Sequence, residues 1–362
     1  MMDRRTFTRL LGAGALGFAG SAAFGSATQR AGAVPPDAKN WAWMRGERDS
    51  LDAWKRQFAK MRAAGIDAVL LQKEGDALRR LVPAARTEGV EVHAWVPTMM
   101  RGEMTEEHPD WYAVNRKGVS TAEEPPLDYY RFLSPCVEGV QQYTVRRMKR
   151  LAQIEGLSGV QLDYIRFPDV ILPVALQPKY DLDQGNREMA RFDYGYHRAC
   201  RAMFEEQTGT DPMELDDPAG NEEWVQLRYD RITAIVEQGA EVVHAEGKTL
   251  SAAVFPTPDI ARKLVRQDWD AWPLDAVMPM IYHNFYEKPV SWIETATRRG
   301  IRALGGAFPL YSGLFVPELA PEQLPEAVAY ARSGGASGIT LSSASAMTDR
   351  HWRTLETVLA ET

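Results

Sequence analysis

Eight short apolar runs, each followed by a stretch of helical periodicity, divide the chain into repeating strand–helix units, and that alternation constrains the fold more than any other feature. The runs span 40–45, 66–72, 90–97, 159–167, 249–255, 276–282, 301–306 and 338–343, with a closing helix from Thr348 onward. Helical crossovers between strands make a parallel sheet with both faces covered, so the pattern is α/β. Eight such units predict a (β/α)8 barrel rather than an open doubly wound sheet. No Gly-x-Gly-x-x-Gly follows the first run, which weakens the dinucleotide-binding alternative. Two excursions, 98–135 and 168–220, exceed ordinary βα loops. Both leave from the carboxyl ends of strands, where barrels place their chemistry, and should roof the mouth. Their aromatic residues (Trp111, Tyr112, Tyr129, Tyr130, Phe192, Tyr194, Tyr196) suit stacking on sugar rings. For any single one, anchoring the loop to the barrel is the plainer role.

The amino terminus reads differently. Asp3-Arg4-Arg5-Thr6-Phe7-Thr8-Arg9 precedes a Gly- and Ala-rich apolar run to about Ala27, with small residues at cleavage points after Ala27 or Ala33. Residues 1–33 therefore read as an export signal, and the paired arginines followed by Phe7 are twin-arginine-like. Residues 34–362 remain as one (β/α)8 domain. Removing the signal takes four Arg and one Asp from 42 basic and 49 acidic residues, deepening the formal charge from −7 to −10. Binding to nucleic acid is disfavoured, since phosphate backbones demand clustered positive charge. Nothing in the mature sequence calls for stable membrane insertion. Cys136 and Cys200 make neither a disulfide framework nor a zinc site, and the sequence leaves open whether they pair. The histidines are scattered, with no HExxH or similar spacing, so neither a catalytic metal nor a cofactor is indicated.

Within the barrel, the fourth run stands out. It ends by projecting Asp163, Tyr164 and Arg166 before Pro168. Gln161 and Asp163 share one face by the period of two, and that polar face should look into the barrel. Strand one offers Trp43, strand three His93 and Trp95, and strand six Tyr282 and His283. An acidic, aromatic mouth of this kind suits a neutral polyhydroxylated ligand better than a phosphate ester. Cleavage of a glycosidic bond needs one protonated carboxyl and a second carboxylate. Asp163 is the first candidate. Glu74 is favoured as its partner because strand two should project it into the same mouth, with Glu103, Asp259 and Asp268 as rivals. Asp268 sits in what reads as a helix leading into strand six.

Residues 159–168, Gly-Val-Gln-Leu-Asp-Tyr-Ile-Arg-Phe-Pro, closely resemble the DGIHLDYIRYP signature of glycosyl hydrolase-like family 10, a group of exported bacterial TIM-barrel proteins. Shorter matches follow in order along the mature chain: 92–96 (Val-His-Ala-Trp-Val), 108–111 (His-Pro-Asp-Trp), 133–135 (Leu-Ser-Pro), 267–269 (Gln-Asp-Trp) and 279–282 (Pro-Met-Ile-Tyr). The resemblance implies a polysaccharide-acting hydrolase with Asp163 as a catalytic residue. Glu74 departs from the family, which usually has Arg near that position, and Met280 stands where Gln is usual.

Together these features predict an exported, periplasmic or secreted glycoside hydrolase acting on an oligo- or polysaccharide. Its other partner is the twin-arginine or general export machinery. Asp163 is expected as nucleophile or general base, with its pKa lowered by Arg166, and Glu74 as the acid. Trp43, His93, Trp95, Gln161, Tyr164, Arg166, Tyr282 and His283 are expected to position the sugar. The rival expectation is a non-catalytic glycan-binding or envelope-scaffold barrel.

Overall fold

The computed structural model describes residues 38–360. The expected export signal lies outside the described residues. Eight strands run parallel: β1 (Trp41–Met44), β2 (Ala68–Leu71), β3 (Glu91–Pro97), β4 (Gly159–Asp163), β5 (Thr249–Val254), β6 (Ala276–Pro279), β7 (Tyr311–Phe315) and β8 (Gly338–Ser342). Pairing is continuous from β6 through β5, β4, β3, β2, β1 and β8 to β7. Two isolated parallel bridges, Val277 to Leu310 and Met280 to Gly313, join β6 to β7 and nearly close the ring. Each strand is followed by a helix: α1 (Leu51–Ala63), α2 (Gly75–Thr87), α3 (Glu138–Ala152), then α4 (Arg198–Thr208) and α5 (Glu222–His244) after β4, and α6 (Pro258–Val265), α7 (Trp292–Leu304), α8 (Leu324–Ser333) and α9 (Asp349–Ala360). The chain is a (β/α)8 barrel.

The strand alternation divides the core in two. Ala42, Met44, Val69, Leu71, Val92, Ala94, Val160 and Leu162 pack outward in the main core beneath the helices. Trp41, Trp43, Leu70, Ala253, Met278 and Tyr311 form a separate cluster, with Trp95 packed against it. Alternate residues of one strand thus serve two cores, as the pleat requires. Gly159 is fixed by a close approach: a Cβ there would lie 2.4 Å from His93 Nδ1 and 2.5 Å from the Thr249 carbonyl oxygen.

Three expectations need correction. The seventh strand is not 301–306. That run is the last turn of α7, whose buried Ile293, Ala296, Thr297, Gly300 and Leu304 keep helical spacing until Gly305 and Gly306 end it with positive φ. A short apolar run carries no periodicity of its own to separate strand from helix. Tyr311 consequently opens β7 beside Trp41, with ring centroids 5.3 Å apart, rather than standing beyond a strand end. The Asp268 segment is a short 3-10 turn, Trp269–Ala271, and not a helix. Finally, β4 stops at Asp163, because Tyr164 adopts φ +52° and turns the chain.

Cys136 and Cys200 form a disulfide that ties the end of the first long loop to α4 within the second. Tyr196, Phe204, Trp224 and Leu227 pack around it as a small satellite core. Among the described residues, no helix is long and apolar enough to cross a membrane.

Candidate active site

Asp163 ends β4 and is held by three neighbours. Its Oδ2 accepts from Trp95 Nε1 at 2.8 Å, and its Oδ1 from the Tyr164 backbone N–H at 2.7 Å. Its carbonyl oxygen accepts from both the backbone N–H and the hydroxyl of Thr98, each at 2.8 Å. Trp95 shares the β3 face that points to Asp163, so the period of two on each strand sets the contact. The side chain is almost entirely buried. Burial raises its pKa above the ordinary aspartate value, and the bonds from Trp95 and Tyr164 and the charge of Arg166 only partly offset this. The expected lowering by Arg166 is therefore overridden by desolvation.

Arg166 also pairs differently from expectation. Its Nη1 donates to Asp169 Oδ2 at 2.8 Å and to the Phe167 carbonyl at 2.9 Å. The guanidinium lies 5.1–5.8 Å from the ring centroids of Phe132, Phe255, Tyr164 and Tyr130, an aromatic cage around a buried ion pair. Burial is the largest single influence and opposes its charge, but Asp169, Tyr130 and Tyr164 together outweigh it and raise the Arg166 pKa.

A cavity of about 430 Å³ opens on this group. Tyr164 and Arg166 line it beside Asp163, joined by Met280 and Tyr282 just past β6 and by Phe315 at the end of β7. The first long loop adds Tyr129 and Tyr130; the second adds Asp169, Lys179 and Tyr180. The two loops meet where the Tyr129 and Tyr180 hydroxyls lie 3.3 Å apart. Tyr164 carries a phenol pushed up to about 12 by burial and by Asp163, and burial raises Tyr282 as well. Both phenols stay protonated at neutral pH and are hydrogen-bond donors rather than nucleophiles. Trp111, Tyr112, Tyr194 and Tyr196 do not line the cavity. Tyr112, Tyr194 and Tyr196 are buried, and Trp111 stacks on His108 at 3.8 Å.

Other expected residues lie elsewhere. Glu74 does not line this cavity. It is paired with Arg147, whose Nη1 also donates to the Pro97 carbonyl at 2.6 Å, and Arg101 Nη1 lies 3.9 Å away. Burial works against the Glu74 charge, but Arg147, with the charges of Arg101 and Arg150, holds the carboxyl below the ordinary glutamate range, which is the wrong direction for a proton donor. His93 sits four residues before Pro97, which pairs with Asp163, so it lies roughly 13 Å further down the barrel at 3.3 Å per residue. It borders a different cavity, with Trp41 and Glu91, at the amino-terminal end of the strands. Trp43 and Gln161 are buried and bonded to each other, Nε1 to Oε1 at 3.2 Å. His283 Nδ1 is 2.8 Å from the Lys288 carbonyl oxygen, and this residue does not line the cavity. Of the rivals, Glu103 pairs with Arg101, Asp268 with Arg262 and Asp259 with Arg299.

Sequence reasoning missed Asp169, Lys179, Tyr286 and Phe315 as cavity residues. Asp169 was within reach, since it stands three residues after Arg166 and directly behind Pro168. Phe315 was hidden by the misplaced seventh strand. Among the described residues, no group of three or more His, Cys, Asp or Glu is placed to hold a metal ion.

A family model described as "Putative glycosyl hydrolase domain" matches residues 54–303, more than half of the chain. The chain belongs to this family. No curated protein sequence matches it. Among solved structures, the chain is similar to the PgaB (BpsB) glycoside hydrolase domain from Bordetella bronchiseptica, with TM-score 0.67 and 14% identity, over 89% of this chain and 98% of that one. It is also similar to the catalytic domain of β-amylase from Paenibacillus polymyxa (TM-score 0.60, 11% identity, 91% and 99% covered). A third likeness is to a β-galactosidase from Halorubrum lacusprofundi (0.62, 12%, 89% and 58%). At such identities the likeness is one of fold, and the family match gives the class: a glycosyl hydrolase-like barrel.

Proposed function

We propose that this family member is an exported glycoside hydrolase in which Asp163 is the general acid. The observation that carries the reading is a carboxyl, raised towards its protonated form, on the wall of a sugar-sized cavity at the carboxyl end of β4. Protonated Asp163 gives its proton to the glycosidic oxygen as the bond to the ring carbon breaks; water then adds to that carbon and returns a proton to the Asp163 carboxylate. Asp163 thus takes the acid's role first given to Glu74, and Asp169, the other carboxylate lining the cavity among the described residues, becomes the second carboxylate and faces the positive charge that develops on the ring. Tyr164 and Tyr282 donate to sugar oxygens, and the aromatic walls cover the apolar ring faces.

The test is incubation of the mature protein with a panel of bacterial polysaccharides and peptidoglycan fragments, with new reducing ends read by mass spectrometry. Asp163→Asn is expected to lower turnover by about 10²–10⁴-fold while oligosaccharide binding persists. Unchanged turnover removes Asp163 from the mechanism. A second reading, a glycan-binding barrel that does not cut, is favoured by one observation: Arg166 neutralises Asp169, leaving Asp163 as the only carboxyl of the cavity without an ion-pair partner among the described residues. Binding without any new reducing end on the whole panel decides for it.

Export is supported by the amino-terminal pattern and by the Cys136–Cys200 disulfide, which suits an oxidising compartment. A secreted or periplasmic protein beginning after Ala27 or Ala33 is the expected product.

A further inference from the structure

The charges around the cavity do not cancel. Five charged side chains line it: Arg45, Asp163, Arg166, Asp169 and Lys179. Arg166 and Asp169 neutralise each other at 2.8 Å. Asp163 is pushed towards its neutral form by burial. Arg45 and Lys179 remain, both exposed. Neither forms an ion pair or a side-chain hydrogen bond with a described residue, although acidic residues outnumber basic ones 49 to 42 in the sequence. They reach the cavity from separate elements: Arg45 directly follows β1, and Lys179 lies in the 3-10 segment Val174–Tyr180 of the second long loop. Lys179 stands 5.7 Å from the Tyr180 ring centroid, and the field of Arg45 reaches the Tyr164 hydroxyl. Lys179 thus has an aromatic neighbour and Arg45 a phenol at the cavity wall.

We infer that the glycan bound in this cavity is acidic, its sugars bearing carboxylate or sulfate groups that pair with Arg45 and Lys179. The inference rests on the cavity beside Asp163 being the glycan site, and it replaces the neutral ligand expected from the sequence. The whole molecule is negatively charged and repels a polyanion at long range, so attraction has to be local, through short charge-assisted hydrogen bonds. A glucosamine-rich polymer, itself cationic, meets repulsion from the same two groups.

Oligogalacturonate and oligoalginate, each beside its carboxyl-reduced counterpart, and a carrageenan oligosaccharide beside its desulfated counterpart, separate the two sources of charge. Binding is measured by calorimetry on the wild-type protein and on an Arg45→Gln, Lys179→Gln double variant, and reducing ends are counted in the same mixtures. The expected result is an anionic member bound roughly tenfold or more tightly than its neutral counterpart, a preference that shrinks with added salt and disappears in the double variant. Equal binding of every charged and neutral pair, or a preference that survives in the double variant, overturns the inference. Preferential binding that depends on Arg45 and Lys179 without new reducing ends leaves it standing and removes the hydrolase reading. Cleavage of neutral partners as fast as charged ones, abolished by Asp163→Asn, does the reverse.

Discussion

Asp163 is caught between two influences, and burial prevails over two hydrogen bonds and a nearby cation. Its pKa in the folded chain is above the unfolded value of about 3.9. The folded state therefore holds a proton that the unfolded chain has already released. The stabilising contribution of this group is complete below the unfolded value and is lost as pH rises through the folded one. Melting temperatures of the wild type and Asp163→Asn across a pH series should show the wild type falling relative to the variant as pH increases. If Asp163 is the acid, kcat/KM falls on the alkaline side with a midpoint above about 3.9. The sequence made Asp163 legible because a strand's period of two aims residues 161 and 163 the same way. It did not reveal Glu74's confinement, since Arg147 comes from α3, more than seventy residues away. Nor did it reveal the pairing of Arg166 with Asp169 rather than Asp163, which depends on where the chain turns at Tyr164.

Strands were legible wherever alternation lasted long enough to show two faces, as in β3 and β4, and illegible at β7. There the five residues Tyr311–Phe315 follow a helix whose last turn looks equally apolar. The contact between β3, β4 and β5 at Gly159 is the point at which strand spacing is least forgiving. Gly159→Ala places a methyl against His93 and the Thr249 carbonyl, and the main-chain oxygen has no freedom to withdraw. The expected cost is about 1–3 kcal/mol, seen as a lower urea midpoint at unchanged m-value. An unaltered midpoint means that β5 shifts to make room. The long loops were legible as roof material, but the residues of theirs that reach the cavity were not separable in advance from those that anchor, because both kinds are aromatic.

The barrel as a whole followed from counting strand–helix units, whereas the disulfide did not, since two cysteines 64 residues apart carry no spacing signature. Closing a loop of that length constrains the unfolded chain by about 4 kcal/mol in the entropic account, and measured values commonly fall at 2–4 kcal/mol. A Cys136→Ser, Cys200→Ser protein should unfold at correspondingly lower denaturant, and the unreduced wild type should show no reactive thiol after denaturation. The ring of strands itself is uneven. Among the described residues, β6 and β7 are joined by the isolated bridges Val277–Leu310 and Met280–Gly313, while every other neighbouring pair forms a ladder, the shortest being the two-residue one between β1 and β8. Amide protons along β6 and β7 are accordingly expected to exchange sooner than those of β3 and β4. Met280 and Tyr282 stand on one side of this join and Phe315 on the other. A join bonded this thinly lets the bore of the mouth change between Tyr282 and Phe315, while Asp163, two strands away on β4, stays anchored by Trp95 and its own turn.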